Sequence, residues 1–374
     1  MAVYSPFLAS YYAQQGVTTQ QIGILYAIGP AITILIQPEW AKISDLTGKR
    51  KTVLTMAILG ACLSILLYYL GNGFLGFFIA TAIFSCFSTA LLPLSDAIIV
   101  TLSEKNKFNY AHIRIGGTIG YAIAVFIAGI IIKGYPKILF AMGSAMYLLM
   151  LLIVLQLPKD IHTERIIVHK SKEKRKPVFG KIFKTKEAYF VLAFAFIYQI
   201  GMSFASSFLG AYIIKLGYSQ SAIGLANSIS AISEVPILIF MDKLVKKFGI
   251  MKMVAFSCLM TAVRIFCISS GNLTIIIISQ ILQSVTYMTT YFCCVTYISR
   301  NVISGKQTQG QSVLAKLQMG VAGIMGYLGG GFILNRIGYQ KTYFLFSVAV
   351  FLLCTVNYIL YLFYKKKKLV RAIE

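Results

Sequence analysis

Long apolar runs, separated by short polar stretches, follow one another along almost the whole chain. A run of about 18 apolar residues, rising about 1.5 Å per helical residue, can cross a hydrocarbon core about 30 Å thick. The short alternating segments of a membrane β-barrel are absent. The pattern predicts an all-α polytopic membrane protein with 12 transmembrane helices. Predicted helices 1 to 12 cover residues 1–13, 20–43, 52–70, 74–102, 110–132, 138–157, 188–214, 219–241, 252–270, 273–299, 311–335 and 340–363.

The chain also repeats itself, because residues 202–224 are a copy of residues 1–23. A shift of 201 residues places Tyr212 on Tyr11, along with seven further identities. In so apolar a chain, a parallel duplication predicts a transporter of two helix bundles around a central site. The expected divisions are an N-terminal bundle at 1–158, a basic cytoplasmic linker at 159–187, and a C-terminal bundle with a basic tail at 188–374.

The first predicted helix is too short to cross a membrane. Its repeat partner, helix 7, carries a further apolar run at 188–201, to which nothing corresponds before Met1. We therefore expect the chain as given to begin inside helix 1. The alternative is a half-helix dipping into the bilayer, which would expose costly backbone groups to lipid.

The distribution of the 35 Lys and Arg residues predicts the orientation. Five lie in loops on one side, three within predicted helices and 27 on the opposite side. The positive-inside rule makes the richer side cytoplasmic, so both termini are expected there. The five on the other side are Lys133, Lys137, Lys215, Arg336 and Lys341.

A net charge of +24 could suggest a nucleic-acid-binding protein. However, 58% of the residues are hydrophobic, and the charges lie in short loops beside predicted helices instead of on a basic domain. We interpret the densest run, 159–187, as a tether facing lipid headgroups. The expected partners are therefore a lipid bilayer and a small-molecule solute, without nucleic acid, and the chain is expected to be monomeric in the cell membrane.

The chain has only 11 acidic residues, and three of them, Glu39, Asp96 and Glu234, fall inside the predicted membrane region. An ionisable side chain there costs several kcal/mol unless it is paired or hydrated, so each is a functional candidate. Asp45 and Asp242 are expected to cap helices. We interpret Glu39, six residues before Asp45, as an interface or gate residue.

Asp96 on helix 4 and Arg114 on helix 5 are expected at similar depth on neighbouring helices. An ion pair between them would offset the desolvation of both charges. Pro93 would free backbone groups beside Asp96, as in binding sites built on broken helices. We predict that this pair binds solute, and a purely structural pair is the alternative.

Glu234 on helix 8 and Arg264 on helix 9 form the matching couple of the second half. A buried carboxyl beside an arginine can be brought to titrate near the working pH. We predict that both residues contact the solute and that Glu234 carries the proton, with Asp96 as the second candidate. The alternative is a fixed bridge that never changes protonation.

Lys316 on helix 11 takes the place that Arg114 has in the first half, so it is also predicted to bind solute. Its alternative is to extend towards the cytoplasm. Gln283 is a further predicted solute contact. Gln199 and Gln280 are equally polar, although glutamines inside membranes more often join helices.

The sequence offers no signal of an enzyme. A Walker A pattern, a nucleophile elbow and an HExxH motif are absent, and the three histidines form no ligand cluster. We therefore expect neither a cofactor nor a bound metal. An ion gradient would supply the energy, with protons as the first choice and sodium as the alternative.

The predicted loop between helices 2 and 3 resembles a known signature. Residues 41–51 are similar to the Gly-x-x-x-Asp-Arg-x-Gly-Arg-Arg motif of the major facilitator superfamily, with matches at Asp45, Gly48, Lys49 and Arg50. Ala and Leu replace the usual first Gly and first Arg.

A looser copy of this signature, residues 241–249 with Asp242, occupies the equivalent loop of the second half. The resemblance covers the whole chain except the absent start. It implies the two-bundle fold of the superfamily and a role for Asp45, Asp242 and their loops in closing the cytoplasmic side during alternating access.

Within the superfamily, the segments LLPLSDA, IRIGGTIGYA and SEVP resemble the branch of phenylpropionate permeases and nucleoside:proton symporters, and more distantly lactose permease. The resemblance places Asp96, Arg114, Glu234 and Arg264 on the helices that carry solute-binding and coupling residues in lactose permease. Helix 10 departs from it, with Gln283 where that permease has His.

The expected function is proton-coupled uptake of an aromatic acid, a sugar or a nucleoside. A proton antiporter that exports a drug or metabolite is an alternative on the same fold. A non-transporting membrane receptor is the alternative from another class, although such a scaffold has no reason to retain costly charges inside the membrane.

Overall fold

The computed structural model describes residues 1–106, 110–132, 135–157, 182–303 and 307–373, and these are almost entirely helical. A single antiparallel bridge, between Phe183 and Val302, is the only β-type pairing in these ranges. Labels α1 to α12 follow the order of the predicted helices. The bounds are α1 Leu8–Gln14, α2 Thr19–Thr47, α3 Arg50–Leu70, α4 Gly73–Ser88 with Leu91–Asn106, α5 Tyr110–Ile131, α6 Ile138–Gln156, α7 Glu187–Lys215, α8 Gln220–Phe248, α9 Ile250–Ser269, α10 Leu273–Asn301, α11 Gln309–Ile337 and α12 Tyr339–Ile373.

Within the described ranges, nine helices are long and apolar enough to cross a membrane. The helix α8 is a tenth if its two parts, which meet at a 65° bend after Ile237, count as one span. The apolar part of α5, Ile115–Ile131, is shorter. The prediction of an all-α, multi-pass membrane protein is confirmed.

The predicted loop between helices 2 and 3 is mostly helical, so this prediction was wrong in its extent. The helix α2 continues to Thr47 and α3 starts at Arg50. Gly48 ends α2 because its φ of 65° lies in the left-handed region, where a glycine carries no Cβ penalty. Asp45 consequently lies inside the last turns of α2 instead of capping it.

The second half repeats this arrangement. The helix α8 continues to Phe248, and Gly249 ends it with a φ of 82°. Asp242 therefore also lies inside a helix, and its expected capping position was wrong for the same reason. In both halves, polar residues extend the helix past the apolar run until a glycine stops it.

The helix α4, predicted as continuous, is broken at Thr89 and Ala90. The Ala90 amide donates to the carbonyl of Phe87 at 3.3 Å, which leaves the carbonyl of Cys86 without its helical donor. The indole Nε1 of Trp40, on α2, donates to that carbonyl at 2.7 Å. Pro93 follows within one turn and has no backbone N–H to donate. The break therefore lies where the helix has already lost a backbone hydrogen bond.

The helix α10 is irregular over its middle. A 3-10 turn covers Gln280–Leu282 and a π segment covers Ser284–Met288. In α11 a second π segment covers Lys316–Ala322. Such segments occur frequently at functional sites because they turn side chains away from the regular helical register.

Candidate functional site

Arg264 on α9 lies in the interior of the second half with only 4% of its surface exposed. Its Nη2 donates to Gln280 Oε1 at 2.6 Å, and its Nη1 donates to Gln283 Oε1 and to Met202 Sδ. Two amide oxygens of α10 and a sulfur of α7 thus hold the guanidinium. The Nε of Arg264 has no hydrogen-bond partner in the described part of the chain.

The predicted couple of Glu234 and Arg264 is connected through a third side chain. Gln283 accepts from Arg264 and donates its Nε2 to Glu234 Oε1 at 3.3 Å. Tyr198 of α7 interacts electrostatically with Glu234 and Arg264. Tyr121 of α5, in the first half, also interacts electrostatically with Glu234. We call this group of side chains the Arg264 cluster; its members are Arg264, Gln280, Gln283, Glu234, Tyr198 and Tyr121. It reaches from the interior of the second half to the seam between the halves.

Of the pair predicted in the first half, the structure describes the side chain of one residue only. Asp96 is half-buried in the second segment of α4. Arg114 lies on α5, but its side chain is outside the part of the chain that the structure describes. The expected contact between Asp96 and Arg114 consequently remains a prediction.

Lys316 begins the π segment of α11 and is exposed. It lies one turn before Gly320, which faces the side chain of Ile34 on α2. Glu39, also on α2, is exposed and forms an ion pair with Lys42 at 3.6 Å. The binding role predicted for Lys316 and the gate role predicted for Glu39 are left open by these positions.

Among the predicted gating residues, Asp45 and Arg50 line a cavity of about 130 Å³ between α2 and α4, together with Trp40 and Pro93. Arg50 Nη1 donates to Thr101 at 3.4 Å. The described residues include no ion pair of Asp45 with Arg50. Lys49 and Asp242 are exposed, and Gly48 forms the turn already described.

The two halves approach each other closely at two pairs of glycines, which we call the glycine seal. Gly331 of α11 lies against Gly23 of α2, and a Cβ placed on Gly331 would lie 3.1 Å from the Gly23 Cα. Gly224 of α8 lies against Gly129 of α5, with the same 3.1 Å from a Cβ on Gly224 to the Gly129 Cα. Any larger side chain would separate the backbones.

Hydrogen bonds between the halves lie at the same membrane face as the glycine seal. Thr19 Oγ1 donates to the Gly331 carbonyl at 3.4 Å, and Ser221 Oγ donates to the Gly129 carbonyl at 3.2 Å. These residues belong to the ends of α5 and α11 and the starts of α2 and α8. We call this the sealed face, and the opposite face, where α2 and α8 end, the basic face.

Sequence reasoning named Glu234, Arg264 and Gln283 but missed Tyr121, Tyr198 and Met202. Tyr198 and Met202 have no signal of their own, because tyrosines and methionines are numerous in this chain. Gln280 acts as a link between helices, holding Arg264 to α10. Among the described residues, no group of three or more His, Cys, Asp or Glu side chains could hold a metal ion.

Comparison with known proteins places the chain among transporters. The sequence model of the MFS_1 like family matches residues 1–347. The chain is 25% identical to the Uncharacterized transporter YwbF of Bacillus subtilis (strain 168), over 92% of this chain and 85% of that protein. It is 21% identical to the Probable 3-phenylpropionic acid transporter of Escherichia coli (strain K12), over 93% of this chain and 91% of that protein.

Among solved structures, a mutant of the nucleoside transporter NupG aligns with a TM-score of 0.83 at 15% identity, covering 96% of this chain and 95% of that one. At this identity the likeness shows the fold. These relatives are transporters and not enzymes, which agrees with the absence of enzyme motifs in the sequence. The resemblance to the major facilitator superfamily is confirmed.

Proposed function

The chain belongs to the MFS_1 like family, and we propose that it is a secondary transporter that takes up a small organic solute together with protons. Transport would proceed by alternating access, with the two halves rocking about a solute bound between them near the middle of the membrane. Solute and proton would share the cluster around Glu234.

The observation that carries this proposal is the chain of hydrogen bonds from Arg264 through Gln283 to Glu234. It joins a buried cation to a carboxylate at the seam, where Tyr121 of the other half also interacts with that carboxylate. Costly ionisable groups inside a membrane are usually retained for transport. Glu234 is the proposed proton carrier, and Asp96 is the second candidate.

The contacts between the halves fit one stage of alternating access. The glycine seal and the hydrogen bonds beside it close one face. With the Lys-rich side assigned to the cytoplasm, the sealed face is the outer one, and the chain is in an inward-facing state. Both termini then face the cytoplasm, and the loops that carry the predicted gating residues Asp45 and Asp242 would come together when the basic face closes.

The charged and hydrogen-bonding side chains of the proposed site indicate which classes of solute it could bind. Arg114, Arg264 and Lys316 would suit an anion such as an aromatic acid. Arginine beside carboxylate and amide groups also binds neutral hydroxyls, so sugars and nucleosides belong to the same proposal. The similar proteins include a Maltose permease of Geobacillus stearothermophilus, a probable 3-phenylpropionic acid transporter and a nucleoside transporter, so sugars, aromatic acids and nucleosides are tested together.

The test is proton movement in proteoliposomes that are challenged with aromatic acids, sugars and nucleosides. We expect one class to drive alkalinisation outside the vesicles, and Glu234→Gln to abolish it. Glu187→Gln is the matched control, because Glu187 lies at the start of α7, away from the Arg264 cluster, and already pairs with Lys368. If no solute moves protons while the protein is folded and binds solute, proton symport is wrong, and sodium coupling, export or a receptor role takes its place.

A further inference from the structure

The irregular middle of α10 coincides with the two glutamines that bind Arg264. Gln280 opens the 3-10 turn, and Gln283 lies between that turn and the π segment. Arg264 donates to both amide oxygens, so one guanidinium spans the turn and fixes its shape. If the two glutamine oxygens no longer accepted hydrogen bonds from Arg264, the buried guanidinium would lose its compensating partners, which costs free energy.

The amide of Gln283 is oriented by a charge at each end. Its oxygen points at the cation of Arg264 and its nitrogen at the carboxylate of Glu234. An ionised carboxylate only accepts hydrogen bonds, whereas a protonated carboxyl also donates. The amide orientation therefore matches the ionised form of Glu234.

We propose that Gln283 is a positioning residue that makes the shape of α10 depend on the charge of Glu234. The inference rests on the proposed function in taking Glu234 as the group that binds the proton. When Glu234 is protonated, its hydroxyl seeks an acceptor, and the nearby Gln283 oxygen is already occupied by Arg264. A hydroxyl that donates to this oxygen competes with Arg264 for it, and we propose that this competition loosens the clamp on the 3-10 turn.

The other described groups that interact electrostatically with Glu234 do not produce this switch. Tyr121 comes from α5 and Tyr198 from α7, and both are phenols that stay protonated near neutral pH. Arg264, from α9, keeps its charge throughout. Arg114 also lies on α5, with its side chain outside the described part of the chain. The proposed effect of Gln283 on α10 therefore depends on the charge of Glu234, which the proposed function takes to change when the proton binds.

The experiment measures two quantities in the purified full chain without any solute. Infrared titration, with Glu234→Gln as the reference, reports the protonation of Glu234. Amide hydrogen exchange of peptides covering residues 280–288, corrected for intrinsic pH dependence, reports the looseness of α10. In the unmodified protein, we expect exchange to rise about fivefold as Glu234 becomes protonated, because the local opening free energy falls.

We call the effect of the Glu234 charge on α10 through Gln283 the relay. Two variants distinguish the relay from a general loosening of α10. In Gln283→Met, we expect Glu234 still to titrate while the exchange of α10 loses its dependence on pH. Gln280→Met is the matched control, because Gln280 also binds Arg264 but donates to Ile276 and Ser279 instead of Glu234. It should raise exchange at every pH and keep the pH dependence.

The outcomes distinguish the two proposals. If Glu234 titrates but α10 exchange does not follow it, or if Gln283→Met keeps the dependence, the relay is wrong and the proposed function stands. If Glu234 does not titrate at all, the proton-carrier assignment is wrong. Should Gln283→Met fail to fold, the shorter amide of Gln283→Asn takes its place, and the same loss of pH dependence is expected.

Discussion

Helices α3 and α9 occupy equivalent places in the two halves, and their buried faces correspond residue by residue. Nine buried positions of α3 recur as buried positions 200 residues later in α9. Yet Ser64 stands in the first half where Arg264 stands in the second, and Ala80 stands where Gln280 stands. The duplication thus kept the packing frame and placed different chemistry inside it.

The difference appears again in how each half fills its interior. The first half packs tyrosines whose hydroxyls bond to one another, such as Tyr4 with Tyr147 at 2.9 Å. The second half stacks rings, such as Phe204 on Phe346 with centroids 4.1 Å apart, and also buries the Arg264 cluster. The described part of the first half thus joins tyrosines through their hydroxyls, whereas the second half contains a buried network of charged and amide groups.

The largest loss of stability is expected when the charge of Arg264, which distinguishes α9 from α3, is removed. Arg264→Leu should lower the free energy of unfolding by about 3 kcal/mol, because two buried amide oxygens lose their donors. Ser64→Ala, its counterpart, should cost only about 0.5–1 kcal/mol, since it loses one weak bond to Ala61. Unfolding in detergent measures both, and equal losses would contradict the asymmetry.

The glycine seal, in contrast, is shared equally by the halves. Gly23→Val and Gly224→Val should each reduce uptake about tenfold, equivalent to about 1.4 kcal/mol, because a side chain forces the backbones apart at the sealed face. Gly329→Val is the control, since a Cβ at that position of α11 meets nothing within 4 Å. A much larger loss from one of the two seal variants would show that the pairs are not equivalent.

The break in α4 is held from α2, whereas the irregular part of α10 is held from α9. Trp40→Phe keeps an aromatic ring beside Phe87 but removes the bond to the Cys86 carbonyl. We expect a loss of about 1 kcal/mol in unfolding free energy, the usual net value of one hydrogen bond. An unchanged unfolding curve would mean that Pro93 alone sets the break.

The smallest loss of stability is expected among the buried tyrosines of the first half. Tyr4→Phe should cost about 0.5–1 kcal/mol because Tyr147 loses its partner. Tyr11→Phe is the matched control, because the buried Tyr11 hydroxyl has no hydrogen-bond partner in the described part of the chain. Its removal should be neutral or stabilising in the same thermal unfolding measurement, and a loss equal to that of Tyr4→Phe would contradict this assignment.

Sequence patterns determined the class of the fold because each membrane-spanning helix must satisfy its own backbone, which makes long apolar runs readable one at a time. The duplication was readable as well, from identities between residues 1–23 and 202–224. Rarity made the key charges readable, since Glu234 and Arg264 are exceptional inside a membrane. Helix ends were less readable, because polar residues such as Asp45 extend a helix as easily as they end it.

Only the tertiary structure decided how these pieces meet. Sequence reasoning coupled Glu234 with Arg264, and the structure adds that the Gln283 side chain bonds to both. The position of Gln283 depends on a 3-10 turn and a π segment that leave no mark in composition. The seam is likewise a product of packing, since the contact of Gly23 with Gly331 joins residues from opposite ends of the chain. Apolar periodicity records which side of a helix is buried, whereas the partner it meets depends on how all the helices pack together.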